Sequence, residues 1–110
     1  SANGDLATKV GTHMHELAAK ENDIPFYTAT SSHTIDFDTP SGDAIEVEMR
    51  NADEVTQIKG VRIAPEGTSA LYPSFDITPN KLISGIITEK GVITAPFEQN
   101  LGRLNEKVNI

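Results

Sequence analysis

A segment with helically spaced apolar residues, joined by two residues to a short apolar run, constrains the fold most. The apolar residues of the first segment form one stripe: Leu6, Val10, Met14, Leu17 and Ala18. We therefore predict an amphipathic helix from Leu6 to about Glu21. Asn22-Asp23 ends it, and the run from Ile24 to Ala29 is typical of a buried strand. A helix linked so closely to a buried strand indicates an α/β fold.

Length and composition limit the class of protein. The 110 residues suffice for one small domain, and 37% hydrophobic with 23% charged residues is ordinary for a globular chain. The sequence holds no cysteine, which excludes disulfides, thiolate metal sites and a cysteine nucleophile from these residues. No apolar run reaches the roughly 18 residues of a membrane span, and no signal peptide is recognisable. We expect a cytoplasmic protein without a membrane partner.

The charge balance argues against a nucleic-acid partner. The formal net charge is −7, from 16 acidic against 9 basic residues, and the basic residues are scattered. A nucleic-acid binder concentrates Lys and Arg to neutralise phosphates. A small anionic substrate would require a local basic spot on this acidic chain.

The middle of the chain alternates loops with short elements. We predict a loop over most of Thr30 to Asp43, and an exposed strand over Ala44 to Arg50, where apolar and acidic residues alternate. Asn51 is a plausible N-cap for a helix of two turns. The Gly- and Pro-containing stretch from Lys59 to Asp76 predicts a long loop with a functional or interface role.

The last third of the chain predicts a second helix. Thr78 as N-cap and Pro79 at the first helical position mark its start, and Gly91 its end or the turn after it. Its predicted buried face consists of Leu82, Ile83, Ile86 and Ile87. A short strand is expected over Val92 to Thr94. Residues 96–110 form a polar C-terminal tail with a few apolar anchors, distinct from the domain at residues 1–95.

The start of the first predicted helix is the best candidate for an anion site. A turn at Gly4 precedes the helix, whose first amides and dipole would favour a phosphate, and Lys9 beside Thr8 adds a full positive charge. The alternative interpretation is a solvated surface lysine after an ordinary glycine turn. Asp5 is a candidate acid or base, although an aspartate at this position is more commonly a helix cap.

Other polar residues give weaker signals. On a helix, His13 and His15 lie about 200° apart and cannot chelate one ion, so we predict no metal site there. His33 lies where a strand gives way to a loop, a common site position in α/β sheets, and is also a common loop residue. Loop acids that favour Asx turns are Asp36, Asp38 and Asp43. Three further residues could pair with one another, with a substrate or with another subunit: Arg62, Glu66 and Asp76.

Several motifs carry a family resemblance over residues 2–94. In chain order they are NGDLATKVGT, IPFYTA followed by HTID, EVTQIKGVRIAPEG, and FDITPNKLISGIITEKGVI. Together they resemble the C-terminal part of the methylthioribose-1-phosphate isomerases. That family is related to ribose-1,5-bisphosphate isomerase and to the regulatory α, β and δ subunits of the nucleotide-exchange factor for translation initiation factor 2.

The resemblance implies a fold and a reaction. The fold would be a Rossmann-like parallel sheet flanked by helices, incomplete in this stretch, behind a smaller N-terminal domain and in a homodimer. The implied activity converts an aldose 1-phosphate into a ketose 1-phosphate in methionine salvage, without a metal or organic cofactor. Such chemistry relies on a dry site and positioned proton carriers.

The resemblance also assigns roles residue by residue. The family's catalytic cysteine and aspartate would both lie upstream of Ser1, so no catalytic residue is expected here and the stretch alone should be inactive. Lys9 matches the lysine of the family's substrate-contacting Asn-Lys pair, and Thr8 replaces its asparagine, so both are implied to bind substrate. Tyr72 stands where the family usually has asparagine. The rival functions are a ribose-1,5-bisphosphate isomerase and a non-catalytic regulatory or assembly subunit.

Overall fold

The computed structural model describes residues 1–108 and shows a mixed α/β arrangement of short sheets and three helices in that range. The strands are β1 (Leu6–Lys9), β2 (Tyr27–Ala29), β3 (Gln57–Ile58), β4 (Val61–Arg62), β5 (Phe75–Thr78), β6 (Gly85–Thr88) and β7 (Gly91–Ile93). The helices are α1 (Thr12–Glu21), α2 (Asp53–Thr56) and α3 (Phe97–Val108). Short 3₁₀ turns cover Ser32–Thr34, Gly42–Ala44 and Asn80–Leu82.

Three small sheets organise the strands. Strands β1 and β5 pair antiparallel, with Thr8 opposite Asp76 and Lys9 opposite Phe75. Strand β6 pairs parallel with β2 and antiparallel with β7, and β3 pairs antiparallel with β4. The parallel β2–β6 pair is the part of this arrangement that an α/β sheet requires.

The first predicted helix is wrong at its beginning. Residues Leu6–Lys9 form a strand, and α1 begins only at Thr12. Gly11 causes the break, since it precedes the helix with a φ of 107°, a conformation that glycine adopts without steric cost. Its N–H donates to Asp76 Oδ2 at 2.8 Å, which fixes the start of α1 against β5. The buried strand predicted over Ile24 to Ala29 is wrong in its burial. Only its second half is a strand, β2, and Tyr27 and Ala29 of that strand are exposed.

The second predicted helix is also wrong. Thr78 ends β5, Pro79 is extended with φ −63° and ψ 140°, and the helical part is a single 3₁₀ turn. Residues Gly85–Thr88 then enter the sheet as β6. Of the predicted buried face, Ile87 is exposed, and Leu82, Ile83 and Ile86 are buried within a turn and a strand.

Between these regions the predictions hold in part. The stretch from Ala44 to Arg50 is not a regular strand, and only Met49 forms an isolated antiparallel bridge, to Pro73. Helix α2 has one turn rather than two, and Asn51 Oδ1 accepts from the Asp53 N–H at 2.9 Å at its start. The predicted last strand is confirmed as β7.

The core lies where the polar tail joins the sheet. It consists of Ile83, Ile86, Phe97 and Leu101, with Leu6, Ile35, Phe37 and Ile93 partly buried against it. Leu101 is 1% exposed. The residues that the sequence predicts as a polar tail therefore include a helix, α3, whose apolar side joins the core. The last two residues of that tail, 109–110, lie outside the described range.

Candidate functional site

A cleft of about 680 Å³ opens beside β1 and the end of β2. Its polar lining comes from three loops and two strands, and includes Asp5, Thr8, Thr28, Thr34 and Asp36. Ile86 and Leu101 form part of its apolar floor. A cleft at the carboxyl end of a parallel strand is the usual place for a ligand in an α/β sheet.

The structure places Thr8 and Lys9 on a strand, so the expected phosphate site at a helix N-terminus is wrong. Successive side chains of a strand point to opposite faces. Thr8 lines the cleft, and its Oγ1 is buried without a hydrogen-bond partner among the described residues. Lys9 is exposed at the end of β1. The side chains of Thr8 and Lys9 therefore lie on opposite faces of the strand.

The Lys9 side chain lies over an aromatic ring. Its Nζ is 5.8 Å from the centroid of Tyr72, and Arg50 Cζ is 5.9 Å from the same centroid. Arg50 is held in turn by Glu54, with Nε to Oε2 at 2.9 Å and Nη2 to Oε1 at 2.8 Å. Two cations thus converge on one ring beside β1, and among the described residues only Arg50 of the two is paired with a carboxylate.

Asp5 holds separate segments together. One carboxylate oxygen accepts from the Gly42 N–H at 2.9 Å, and the other accepts from the Asn80 N–H at 2.8 Å. These are the first amides of two 3₁₀ turns, so Asp5 caps both from elsewhere in the chain. Burial alone raises the pKa of Asp5, but these N–H donors and Asn3 together hold it below its ordinary value. Its role in this geometry is to brace the cleft wall.

We expect Asp5→Asn to lower the free energy of unfolding by about 2 kcal/mol at pH 7, because an amide nitrogen would face one of the two N–H donors. The depressed pKa means that the stabilising carboxylate is present above its unfolded pKa and is lost as pH falls through the folded one. The difference between variant and wild type should therefore shrink in acid. Urea denaturation measures it, with Asp38→Asn in the exposed loop as control; equal losses for both variants would contradict the bracing role.

A second buried group of polar side chains lies between α1 and β5. Glu16 has no exposed surface and neither carboxylate oxygen has a hydrogen-bond partner among the described residues. Asp76 Oδ1 and the hydroxyl of Thr78 are buried in the same unpartnered state. Burial, together with the negative charge of Asp76, raises the pKa of Glu16 to about 7. No motif in the sequence marks Glu16, so its burial and raised pKa could not be predicted from the sequence.

A third contact fixes the loop after β2. Glu89 accepts from the Ser32 N–H at 2.9 Å and also from the Ser32 hydroxyl. These hydrogen bonds lower the pKa of Glu89 to about 2. His33 is exposed beside them, and its Nδ1 lies 3.3 Å from Ser31 Oγ, so it is a hydrogen-bonded loop residue.

The remaining candidates do not assemble into a site. Asp36 forms the predicted Asx turn by accepting from the Asp38 N–H at 3.0 Å. Arg62 donates to the Pro65 carbonyl at 2.9 Å and braces its own loop. Exposed side chains among the candidates are His15, Asp38, Asp43 and Glu66, whereas His13 is half-buried. Within residues 1–108 there is no cluster of three or more potential metal-ligating side chains, and no helix is both long and apolar enough to cross a bilayer.

The fold and the motifs around β1 and β5 define the class of protein. Residues 1–95 match the initiation factor 2 subunit family, and the chain belongs to that family. Among its relatives, methylthioribose-1-phosphate isomerase of Acetivibrio thermocellus is 54% identical over 99 residues. That alignment covers 90% of this chain and 29% of the relative, so the chain spans less than a third of the relative's length.

Solved structures give the same relationship. The chain superimposes on 5-methylthioribose 1-phosphate isomerase from Pyrococcus horikoshii OT3 with a TM-score of 0.90 and 43% identity, covering 96% of this chain and 30% of that one. It also superimposes on the δ subunit of translation initiation factor eIF-2B from A. fulgidus, with a TM-score of 0.84 and 31% identity. That match covers 93% of this chain and 30% of the other.

Proposed function

We propose that this chain is the C-terminal part of an aldose–ketose isomerase of methionine salvage. Its reaction converts 5-methylthioribose 1-phosphate into 5-methylthioribulose 1-phosphate. The observation that carries the proposal is the 54% identity over 90% of the chain to a protein named methylthioribose-1-phosphate isomerase. The TM-score of 0.90 to a second protein of that name supports it independently.

The contribution of this chain to the reaction is substrate binding. Lys9 supplies a positive charge for the phosphate, and its exposure at the end of β1 leaves its N–H donors available. Thr8, the preceding residue of β1, has its side chain on the opposite face of the strand, where it lines the cleft. The chain has no cysteine. We assign it no catalytic residue, because the resemblance implies that the catalytic cysteine and aspartate would belong to another part of the complete protein. We propose neither a metal nor an organic cofactor.

The complete protein would contain a Rossmann-like parallel sheet. In support, β2 and β6 pair in parallel, and within residues 1–108 the second edge of β2 pairs with no strand. The predicted apolar stripe on α1 is exposed to solvent, since Met14 is 73% and Leu17 50% exposed. Apolar side chains at such exposure are typical of a surface covered by another segment. We infer that the N-terminal part of the same protein supplies both the neighbouring strand and this cover.

A second copy of the protein is the other proposed partner. Several apolar side chains around the β3–β4 hairpin and its following loop are exposed, among them Ile58, Val61, Ile63 and Leu71. An apolar patch of this kind favours a homodimer contact on this side of the chain. We place the protein in the cytoplasm, with neither a membrane nor a nucleic acid among its partners.

The test is to separate the binding part from the catalytic part. The 110-residue chain incubated with 5-methylthioribose 1-phosphate should form no ketose phosphate, because its proton carriers lie on the other part of the protein. Addition of the N-terminal part, or use of the full-length protein, should restore turnover. Turnover by the chain alone would overturn the upstream placement of the catalytic groups.

One alternative has an observation in its favour. The TM-score of 0.84 to a translation-factor δ subunit is also high, so a non-catalytic regulatory or assembly subunit remains the second candidate function. The two are distinguished by the upstream sequence, since the isomerase requires both the cysteine and the aspartate. A full-length protein that binds the sugar phosphate without converting it would favour the regulatory subunit.

A further inference from the structure

The ring of Tyr72 is fixed by the strands around it. The Arg50 N–H donates to the Tyr72 carbonyl at 2.7 Å, and the Ser74 N–H donates to the Glu48 carbonyl at 2.8 Å, so the backbone on either side of the ring is paired. Strand β5 begins three residues later and pairs with β1 up to Lys9. The ring and Lys9 are therefore held by one continuous hydrogen-bonded unit.

The ring is also held from the side of Arg50. The guanidinium group lies 5.9 Å from the ring centroid, and its two hydrogen bonds to Glu54 restrict it to that position. Since Arg50 is paired with a carboxylate, its charge is largely compensated. Lys9 has no carboxylate within ion-pair distance among the described residues. Of the two cations at the ring, Lys9 is thus the one whose charge is available to an incoming anion.

A cation over an aromatic face keeps its hydrogen-bond donors. The ring attracts the ammonium through its quadrupole and accepts no conventional hydrogen bond from it, whereas a carboxylate partner would occupy one or two N–H groups. Holding a long lysine side chain in one region also lowers the entropy lost when a ligand binds. A ring under Lys9 is therefore suited to presenting an ammonium to a phosphate.

We propose that Tyr72 is a positioning residue that holds Lys9 for the phosphate of the substrate. This inference rests on the proposed function, because it assumes that Lys9 contacts a phosphate ester. Tyr72 touches the lysine and not the reacting atoms, so it acts on substrate binding and leaves the chemical step unchanged. The aromatic ring, rather than the hydroxyl, is the part required.

The test uses the full-length protein and steady-state kinetics with 5-methylthioribose 1-phosphate. Tyr72→Leu should raise KM about threefold with little change in kcat, since an exposed cation–π contact has an effect of this size. Tyr72→Phe keeps the ring and should restore KM to near the wild-type value. The matched control is Tyr27→Leu, at the other tyrosine, which should not change KM.

A double-mutant cycle separates this inference from the proposed function. In a Lys9→Ala background, Tyr72→Leu should have no further effect on KM, because the group that it positions is gone. If Lys9→Ala raises KM and Tyr72→Leu does not, Tyr72 has no positioning role and the proposed function stands. If Lys9→Ala leaves KM unchanged, the proposed binding role fails and the role of Tyr72 fails with it.

A spectroscopic measurement avoids dependence on the leucine variant. In the wild-type protein, the side-chain methylene protons nearest the Lys9 amino group should be shifted upfield by the ring current, and Tyr72→Phe should keep that shift. Normal lysine proton shifts in the wild-type protein would overturn the contact itself, whether or not Tyr72→Leu folds.

Discussion

Replacement of Glu16 with glutamine is expected to stabilise the chain by roughly 3 kcal/mol at pH 8.5 and to change its stability little at pH 4.5. Glu16 is fully buried, and its pKa is raised to about 7 by burial and by the charge of Asp76. At pH 8.5 the folded chain carries an unpartnered buried carboxylate, whereas glutamine occupies nearly the same volume without a charge.

The sign follows from proton binding. The raised pKa means that the folded state holds a proton on Glu16 between the unfolded value of 4.5 and about 7, where the unfolded state has already released it. Stability therefore falls as pH rises through this window and levels off above it. The glutamine variant lacks this dependence, so its advantage should appear above pH 4.5 and reach its full size above pH 7.

Urea denaturation of both chains across this pH range measures the difference. Glu21→Gln, at an exposed position on the same helix, is the matched control and should change stability by less than about 0.5 kcal/mol at any pH. Two results would contradict a buried ionised Glu16. One is a glutamine variant that is less stable than wild type at pH 8.5. The other is a difference in free energy of unfolding from wild type that is the same at pH 8.5 and pH 4.5.

The second large effect concerns Lys9. In the full-length protein, Lys9→Ala should lower kcat/KM about 100-fold, mainly through KM, because the phosphate loses a charge-assisted contact present in both ground and transition states. Lys20→Ala, which removes an exposed lysine in the last turn of α1, should change kcat/KM by less than about twofold. Raised salt should weaken substrate binding by the wild type more than binding by Lys9→Ala.

Equal effects of the two alanine variants would show that Lys9 has no special place in the site. A loss confined to kcat would assign Lys9 to the chemical step and contradict a purely binding role. An effect of Tyr72→Leu on KM can be assigned to Lys9 only if Lys9→Ala itself raises KM.

Hydrophobic spacing predicted the existence of α1 but not its start. Leu6 and Val10 fit both a helical stripe and an extended segment, and the period alone cannot separate the two over so few residues. The decisive position is Gly11, whose left-handed conformation separates strand from helix. That conformation is stabilised by the hydrogen bond from the Gly11 N–H to Asp76, which is far along the chain and cannot be inferred from the local sequence.

The segment from Thr78 to Thr88 shows the same ambiguity in reverse. Thr78-Pro79 is a common helix start, and the apolar residues that follow have helical spacing. Pairing of β6 with both β2 and β7 decides the outcome, because a strand buried between two neighbours gains a full set of ladder hydrogen bonds. Tertiary pairing of this kind is not encoded in any short window.

In residues 96–110, by contrast, the sequence does contain the signal for the observed helix. Phe97, Leu101 and Leu104 are spaced by four and three residues, which is a helical signal that its polar composition obscured. All three are buried, at 4%, 1% and 8% exposure. In the candidate site, Lys9 and Thr8 were predicted from the local sequence and from the resemblance. Glu16 and the ring under Lys9 were not, because both depend on which side chains the fold brings together.

The most direct measurement is ³¹P NMR of 5-methylthioribose 1-phosphate incubated with the full-length protein that contains this chain. We expect the substrate resonance to be replaced by that of 5-methylthioribulose 1-phosphate, and we expect the 110-residue chain alone to leave the spectrum unchanged over the same time. A full-length protein that leaves the substrate unconverted, even while broadening its resonance by binding, would contradict the proposed isomerase.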